Sequence, residues 1–446
     1  MKILRFFTPA RVLVLGFGLL ILVGALLLTW PEATRDGQGL GFLNALFTAT
    51  SAVCVTGLVV VDTGTTFTIF GQLVILSLIQ IGGLGFMTFA TLIAIMLGKR
   101  VTFKERLVLQ EALNQVSQAG VVRLARYVLQ MTFLIEALGA LILSVRWSVD
   151  LGWGQALYYG IFHAISAFNN AGFDLFGNFS SLTGYSGDLV TNVTVILLII
   201  TGGLGFTVLA DLYSHKREGK KFSLHTKLVL QASGILIILG AALIFAVEFA
   251  NPKTLGTLPL PVKVMASFFQ SVTTRTAGFN TLNLTDFRDT TLLLMIALMF
   301  IGASPGSTGG GVKTTTFISV VLAVLSTFKG EDHISVKGRT LPREVIQKAV
   351  AIMVLAILLI FAVVSLLTIS ENADFLTLLF EVTSAFGTVG LSLGITPHLS
   401  GIGKIAIILT MFTGRVGPLT LGFALSQKRQ GAQATIKYPE EKIIIG

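Results

Sequence analysis

The sequence has little charge and almost no cysteine. Only 12% of its 446 residues are charged and 53% are hydrophobic, whereas roughly 25% of the residues in an average soluble domain are charged. This composition excludes an ordinary soluble fold. The single cysteine, Cys54, allows no internal disulfide. The fold must therefore be held together by packing and by a surrounding lipid phase.

The patterns that carry enzyme chemistry are also missing. The sequence has no metal-ligand spacing, no nucleotide-binding loop and no nucleophile with a base partner. The string GGLGF, at residues 82–86 and 202–206, lies inside an apolar run with no preceding strand, so it does not predict a dinucleotide site. We predict that the chain is not an enzyme and binds no nucleotide itself.

Long hydrophobic runs are what the sequence does contain. Several reach the ~20 residues that a helix needs to cross a bilayer. The charge-free runs are 12–30, 189–210, 228–247, 290–312 and 349–370. Two further runs, 127–145 and 405–427, contain one ionisable residue each, Glu136 and Arg415. These runs predict a multi-pass membrane protein.

The net charge of +10 is unevenly distributed between the loops. Of the 32 lysine and arginine residues, 23 fall in the segments 1–11, 99–126, 214–227, 326–348 and 427–446. The positive-inside rule places such segments on the cytoplasmic face. We therefore predict a plasma-membrane protein with both termini in the cytoplasm. Because orientation already accounts for the basic residues, we predict no nucleic-acid binding.

Four similar strings recur along the chain: TSAVCVTGL, ISAFNNAGF, SVTTRTAGF and TSAFGTVGL. Their glycines are Gly57, Gly172, Gly278 and Gly390, separated by 115, 106 and 112 residues. A phenylalanine stands ten residues before each glycine, and a Ser-Ala pair recurs in three of the strings. This periodicity predicts repeat 1 (1–100), repeat 2 (101–220), repeat 3 (221–340) and repeat 4 (341–427), followed by a cytoplasmic C-terminal tail (428–446).

Each repeat consists of a span, a short apolar segment, a glycine loop and a second span. The short segments, such as 40–54 and 376–386, have about half the length needed to cross, which favours re-entrant half-helices. The predicted fold class is an all-α integral membrane protein. Eight transmembrane helices and four half-helices would surround one pseudo-fourfold pore.

The glycine loops are the candidate ion site. Irregular backbone at membrane depth is tolerated where it lines a watery path, and glycine permits the positive φ that turns carbonyl groups toward an axis. Neutral carbonyl oxygens suit a monovalent cation, and the C-terminal ends of the half-helices add partial negative charge. One such loop would be an ordinary glycine turn, but four phased copies favour a selectivity filter. The predicted filter residues are Val55, Thr56, Gly57, Asn170, Ala171, Gly172, Thr276, Ala277, Gly278, Thr388, Val389 and Gly390.

Repeat 3 interrupts its second span with the string IGASPGSTGGGVKTTT. Proline and clustered glycines disfavour a helix, so we expect a flexible loop that gates the path beneath the filter. A rigid break for tight helix packing is the alternative. Arg415 is expected near the path, either as an electrostatic barrier or in a salt bridge or carbonyl-capping role. The predicted gate residues are Gly302, Pro305, Gly306, Gly309, Gly310, Gly311, Lys313 and Arg415.

Other ionisable residues within the spans are interpreted as structural. Arg275 is expected to brace its loop from behind, because a cation facing the path would repel the substrate. A proton relay through His163, Glu136, Glu248 and Glu381 is the alternative. These four residues share no regular spacing, although His163 and Glu381 occupy the same position on different half-helices.

With its four loops, its broken third-repeat span and the string MFTGRVGPLTL at 411–421, the sequence resembles the Trk/Ktr/HKT superfamily of potassium uptake proteins. Within that superfamily it looks like the membrane subunit of bacterial Ktr transporters, and the first repeat begins early, as in Ktr. The likeness spans essentially the whole chain. A serine at the first loop's glycine accompanies sodium selectivity in this superfamily, so Gly57 implies potassium.

The resemblance further implies a homodimer on a cytosolic ring of nucleotide-binding regulatory subunits, with one pore per protomer. It also implies that the glycine-rich loop gates and that Arg415 lies close to it. Many relatives need sodium, and the residues leave that requirement open. The basic segments 214–227 and 335–344 are candidate docking surfaces for the ring, although attraction to anionic membrane lipid explains them equally well.

The runner-up function is a secondary cation transporter with a midplane site formed by broken helices. Such transporters usually contain inverted or two-fold halves, whereas the four repeats predicted here run in parallel orientation. An intramembrane enzyme ranks last.

Overall fold

The computed structural model describes residues 8–85, 87–90, 102–112, 121–219, 221–331 and 333–425. This part of the chain is helical apart from its turns, its loops and one antiparallel hairpin, Ser335–Val336 with Arg339–Thr340. The predicted tail, 428–446, lies outside the described residues, as does much of the basic segment 99–126.

Four long helices open the four predicted repeats. They are Pro9–Leu28, Val121–Leu151, Leu224–Glu248 and Arg343–Ser370. Within the described ranges, these are the single helices long and apolar enough to cross a membrane. Large apolar side chains cover their outer faces, for example Leu19, Leu141, Ile238 and Phe361. Such faces suit contact with lipid acyl chains.

Each long helix is followed by a shorter one, which we call half-helix 1 to 4. The half-helices are Phe42–Val53, Trp153–Phe168, Leu260–Thr273 and Phe375–Gly387. The longest has 16 residues, and at about 1.5 Å per residue it is shorter than the roughly 30 Å hydrocarbon core. The short helices predicted at 40–54 and 376–386 are therefore present. They carry several of the largest fully buried side chains: Phe47, Phe162, Phe269 and Phe380.

A second helix then runs away from each glycine loop. The second helices are Ile69–Leu84, Leu189–Leu204, Asp289–Phe300 and Gly401–Val416. In three of them a side-chain oxygen just before the helix accepts the hydrogen bond of an unpaired backbone N–H: Thr68, Asp188 and Ser400. In repeat 3 the buried Glu248 does this instead, because it accepts from the Arg288 N–H at 3.0 Å.

The second helices all end at a break. The charge-free run 189–210 does not form one straight helix: Leu189–Leu204 ends at Gly205, and Phe206–Glu218 continues after a bend of 100°. Gly85, Gly205 and Gly417 have φ values of +80°, +94° and +90°. Glycine in this conformation interrupts the helical hydrogen-bond pattern without changing hydropathy, which is why the run looked continuous.

In repeat 3 the break is a whole loop, residues 301–313, which we call the intramembrane loop. It joins Asp289–Phe300 to Thr314–Phe328. Shorter helices also follow the breaks elsewhere, at Phe206–Glu218 and Pro418–Leu425. Other helices of the described chain are Thr63–Thr66 and Phe103–Ala112, with one-turn 3-10 helices at Pro31–Ala33, Thr183–Tyr185, Leu284–Asp286 and Thr396–His398.

Candidate functional site

The glycine loops follow the C-terminal ends of the half-helices. We call residues 54–58, 169–173, 275–279 and 387–391 glycine loops 1 to 4. Their central glycines, Gly57, Gly172, Gly278 and Gly390, have φ values of +91°, +71°, +80° and +92°. The positive φ predicted for these glycines is therefore confirmed, and only glycine adopts it at no steric cost.

The residue two positions before each glycine is left-handed as well, which the sequence did not indicate. Val55, Asn170, Thr276 and Thr388 have φ values of +55°, +58°, +77° and +51°. This conformation is a clear outlier for β-branched residues such as Val55, so the surrounding structure must impose it. The residue that lies between this left-handed residue and the central glycine has a negative φ in every loop. Handedness thus alternates in the same way along all four loops.

The central glycines close into a ring in chain order. A β-carbon built on each glycine would fall against the carbonyl oxygen of the residue that precedes the next loop's glycine. The pairs are Gly57 with Ala171, Gly172 with Ala277, Gly278 with Val389 and Gly390 with Thr56. The first three separations would be 2.5, 2.8 and 2.5 Å, closer than a real β-carbon can approach. Loops 1 and 3 are consequently opposite each other, as are loops 2 and 4.

Hydroxyl groups on the half-helices hold these loops from behind. In repeats 1 and 4 the serine six residues before the glycine accepts the glycine's own N–H. Ser51 accepts from Gly57 at 3.0 Å, and Ser384 accepts from Gly390 at 3.1 Å. These serines belong to the Ser-Ala pair noted in the sequence, so a signal for them was available but was not assigned a role.

In repeats 2 and 3 the hydroxyl donates instead of accepting. Ser166 donates to the carbonyl oxygen of Phe173 at 2.7 Å, and Thr273 donates to that of Phe279 at 2.5 Å. Both contacts fix the residue just after the central glycine. Each loop is therefore anchored to its own half-helix by a buried side chain.

An outer cavity of about 420 Å³ lies on one side of the ring and is lined by all four central glycines. Asp62 and Asp174 also line it. The Asp62 carboxylate accepts hydrogen bonds from the N–H groups of Thr65 and Phe179, at 2.8 and 2.7 Å. Burial and the neighbouring Asp62 carboxylate raise the pKa of Asp174 to about 7. Carboxylates at the entrance to a narrow cavity attract cations.

The intramembrane loop lies directly against the opposite side of the ring. The N–H of Gly310 donates to the Thr388 hydroxyl at 2.9 Å. A β-carbon on Gly309 would collide with the Thr276 hydroxyl. The loop therefore touches the left-handed residues of glycine loops 3 and 4 with no space between them.

Backbone hydrogen bonds join the intramembrane loop to the last turns of two other second helices. The N–H of Thr308 donates to the carbonyl oxygen of Gly202 at 3.3 Å, and the N–H of Gly311 donates to that of Gly414 at 3.2 Å. Irregular backbone at membrane depth needs such partners. The intramembrane loop, which includes the predicted gate residue Gly311, is thus joined to the ends of the second helices of repeats 2 and 4.

Arg415 bridges three repeats beneath the ring. Its guanidinium donates to the carbonyl oxygens of Thr308, Gly82 and Gly83. The Lys313 ammonium donates to a carbonyl oxygen within the intramembrane loop. In the described part of the chain neither cation has a carboxylate within ion-pair distance. The carbonyl-capping contact that the sequence left open for Arg415 is therefore observed.

An inner cavity of about 300 Å³ lies on the far side of the intramembrane loop. Gly309, Gly311, Lys313 and Arg415 line it, together with Pro305. The central glycines line only the outer of these two cavities. The ring and the intramembrane loop thus separate two cavities: Asp62 and Asp174 line the outer one, and Lys313, Arg415 and Glu111 line the inner one.

The other ionisable groups have their own partners away from the ring axis. Arg275 is buried and donates to the carbonyl oxygen of Ser233 at 3.3 Å, which fits the predicted bracing role. Glu136 accepts from the side-chain amides of Gln80 and Asn169, each at 3.0 Å. The described residues contain no group of histidine, cysteine and carboxylate side chains able to hold a metal.

Comparison with known proteins identifies the relatives of this chain. A family model described as "TrkH: Cation transport protein" matches residues 18–432. The Ktr system potassium uptake protein B of Bacillus subtilis is 47% identical over 440 residues, which covers 99% of this chain and 97% of that protein. The potassium/sodium uptake protein NtpJ of Enterococcus hirae is 40% identical and covers 98% and 97%.

A solved structure supports the same arrangement of helices. The crystal structure of the potassium transporter TrkH from Vibrio parahaemolyticus superimposes with a TM-score of 0.74 at 20% sequence identity, covering 93% of this chain and 84% of that one. At this identity the likeness concerns the fold alone.

Proposed function

The chain belongs to the TrkH family of cation transport proteins, and on that premise we propose that it takes up potassium ions through the ring of glycine loops. The cyclic order of the ring carries this proposal, because each central glycine adjoins a backbone carbonyl of the next loop. Four carbonyl oxygens at one level can replace the hydration shell of a potassium ion. The relative from Bacillus subtilis is named for potassium uptake, which supports this choice of ion.

The filter in this proposal consists of the residues 55–57, 170–172, 276–278 and 388–390. They include no charged side chain, so the backbone must select the ion. Sodium transport should be measured as well, because the relative from Enterococcus hirae is named for uptake of both potassium and sodium.

The proposed architecture is a pseudo-fourfold pore formed by four repeats with eight crossings. The four long helices and the four broken second helices supply these crossings. Both termini then lie on the cytoplasmic side of the bacterial plasma membrane, where the basic segments also lie. The outer cavity faces the outside, and the inner cavity faces the cytoplasm.

The intramembrane loop is the proposed gate. Its contact with the Thr388 hydroxyl supports this role, because the loop then adjoins the residues of the proposed filter. Arg415 and Lys313 add positive charge at the same level, which raises the energy of a passing cation. Ions pass when the loop leaves the axis and Arg415 releases its carbonyl partners.

A cytosolic regulatory subunit controls this gate in the proposal. The relatives from Bacillus subtilis and Enterococcus hirae span almost the same length as this chain, and the first is named as part of a system. We place ATP, ADP or a dinucleotide on a ring of separate regulatory subunits. The membrane protein itself functions as a homodimer with one pore per protomer, bound to this ring.

The alternative function is a secondary cation transporter with a midplane site. The glycine breaks in the second helices favour it, because such transporters bind their substrates at interrupted helices. The uninterrupted cyclic order of the four loops favours the channel-like proposal, because two inverted halves would not place four equivalent backbones in one ring.

Ion flux in proteoliposomes distinguishes the two functions. Purified protein is reconstituted with and without a regulatory ring, and the uptake of potassium and of sodium is measured separately and in mixtures. The channel-like proposal predicts potassium flux down its own gradient without a fixed stoichiometry to a second ion. Potassium movement strictly coupled to counter-flow or co-flow of another ion would favour the alternative, and equal passage of sodium would contradict filter selection.

A further inference from the structure

One position on the half-helices carries an ionisable side chain in two repeats and a non-ionisable side chain in the other two. This position is nine residues before the central glycine. It holds His163 in repeat 2 and Glu381 in repeat 4, both with no exposed surface. The same position holds Thr48 in repeat 1 and Phe269 in repeat 3. An apolar residue is thus compatible with this site, so the buried polar groups call for an explanation.

Glu381 ties the chain that leaves glycine loop 4 to half-helix 4. One carboxylate oxygen accepts a hydrogen bond from the Thr396 hydroxyl. The Thr396 hydroxyl lies 3.0 Å from the hydroxyl of Ser392, two residues after Gly390. Both hydroxyl residues line the outer cavity. Glu381 therefore restrains the segment that follows glycine loop 4, on the side that lines the outer cavity.

His163 makes the corresponding contact in repeat 2. Its Nδ1 lies 2.7 Å from the carbonyl oxygen of Tyr159, so Nδ1 must carry the proton, because a carbonyl only accepts. The unprotonated Nε2 then accepts the N–H of Leu175 at 3.3 Å. Leu175 stands three residues after Gly172. The His163 imidazole packs between the rings of Trp147 and Phe176, with centroid distances of 5.1 and 4.8 Å.

The position makes no such contact in repeats 1 and 3. The Thr48 hydroxyl donates within its own half-helix, to Asn44 at 2.9 Å. Phe269 offers no hydrogen-bonding atom and is fully buried. We call the contacts of Glu381 and His163 tethers; the two tethered loops, 2 and 4, form one of the two opposite pairs in the ring. The tethers therefore act across one diagonal of the ring.

The contacts at Glu381 are costly to keep. Its second carboxylate oxygen is buried and has no hydrogen-bond partner in the described part of the chain, and burying a polar atom without a partner is unfavourable. The tether it makes extends the loop anchoring already provided by Ser384. Packing alone does not require a carboxylate here, because Phe269 fills the equivalent site in repeat 3.

We infer that Glu381 and His163 are positioning residues that set the outer width of the glycine ring across the diagonal of loops 2 and 4, and so contribute to discrimination between potassium and sodium. This inference rests on the proposed function. A carbonyl ring favours the larger ion only while its oxygens are kept from closing around the smaller one. The two tethers restrain the segments that would have to move inward.

The test compares variants that remove a tether with variants that keep it. Glu381→Leu and Thr396→Val break the repeat 4 contact from its two ends, and His163→Phe breaks the repeat 2 contact while keeping a ring in the aromatic cage. Glu381→Gln retains an accepting oxygen for Thr396. Phe269→Leu is the matched control, because it changes the same position of a half-helix that has no tether. The ratio of potassium to sodium flux is measured in proteoliposomes.

We expect each tether-breaking variant to lower the flux ratio roughly three- to tenfold, with potassium flux retained. Glu381→Gln and Phe269→Leu should keep the ratio of the unmodified protein. The inference is overturned if Thr396→Val, the mildest change, folds and conducts with an unchanged ratio, or if Phe269→Leu lowers the ratio equally. If the unmodified protein itself passes no potassium, the proposed function fails and this inference fails with it; a potassium-selective unmodified protein separates the two outcomes.

Discussion

The glycine ring and the intramembrane loop are in contact but are built in opposite ways. The ring consists of four loops that repeat one backbone conformation, with left-handed residues at the same two positions of each. The intramembrane loop occurs in one repeat and makes different contacts with each neighbour, including Gly202, Gly414 and Thr388. A filter requires equivalent ligands around an ion, whereas a gate requires one element that can move alone. In the proposed function, the duplicated unit supplies the filter and its single exception supplies the gate.

The largest expected effect comes from removing the asymmetric element. Deleting residues 306–311 should raise potassium flux without the regulatory ring by about tenfold or more, equivalent to at least ~1.4 kcal/mol of barrier. Rubidium uptake into proteoliposomes measures this. Ser307→Ala is the control, because the Ser307 hydroxyl bonds only within the loop, to Ser304. A deletion variant that folds and keeps low, regulated flux would show that the loop is a rigid break that serves helix packing.

Disturbing the symmetric element should alter selectivity more than flux. Gly57→Ser places a β-carbon 2.5 Å from the Ala171 carbonyl oxygen at a residue with φ of +91°, so the ring must shift at one corner. We expect the potassium-to-sodium uptake ratio to fall about tenfold. Gly154→Ser, at a glycine with open space and no positive φ, is the matched control. An unchanged ratio in Gly57→Ser would contradict selection by backbone carbonyls.

Arg415 allows charge and bridging to be separated. Arg415→Ala should raise potassium flux roughly threefold, because both the positive charge and the carbonyl bridges are lost. Arg415→Lys keeps the charge, but the compact ammonium group cannot contact three carbonyl groups at once as the planar guanidinium group does. Equal increases in the two variants would assign the effect to the bridges, and an increase in the alanine variant alone would assign it to the charge. Reduced flux in both, with normal protein levels, would exclude a role in closing the path.

The smallest expected effect concerns the outer cavity. Asp174 is charged above its raised pKa of about 7 and neutral below it. Asp174→Asn should therefore lower potassium uptake by about twofold at external pH 8 and by less at pH 6, where the unmodified carboxyl group is already protonated. Asp289→Asn, an exposed carboxylate that does not line the cavity, should leave the pH profile unchanged. Equal loss at both pH values would indicate a structural role for Asp174.

The repeat pattern predicts the ring well, for a physical reason. Four glycines in equivalent strings can be recognised because glycine is the residue that accepts φ near +90° without strain. The half-helices could be predicted because a membrane fixes the length that a span requires. The left-handed Val55 could not be predicted, since a β-branched residue avoids that conformation unless distant contacts impose it.

The bend at Gly205 and the anchors could not be predicted, for different reasons. Gly205 lies within an apolar run, and hydropathy is the same for a straight helix and a bent one. The contacts of Ser166 and Ser384 depend on which way the loop backbone faces, and the sequence does not specify that. The Arg415 bridge joins residues more than 300 positions apart. A pattern confined to one repeat carries no information about such contacts.

The contact between Gly390 and the carbonyl group of Thr56 joins the first and last repeats. Ribosomes synthesise and membranes receive the repeats in order, so the circle stays incomplete until the fourth unit has been inserted. A nascent chain interrupted before that stage lacks glycine loop 4 and Arg415, which contacts the intramembrane loop. If the proposed function holds, the last repeat to be made therefore completes both the selective ring and its closure.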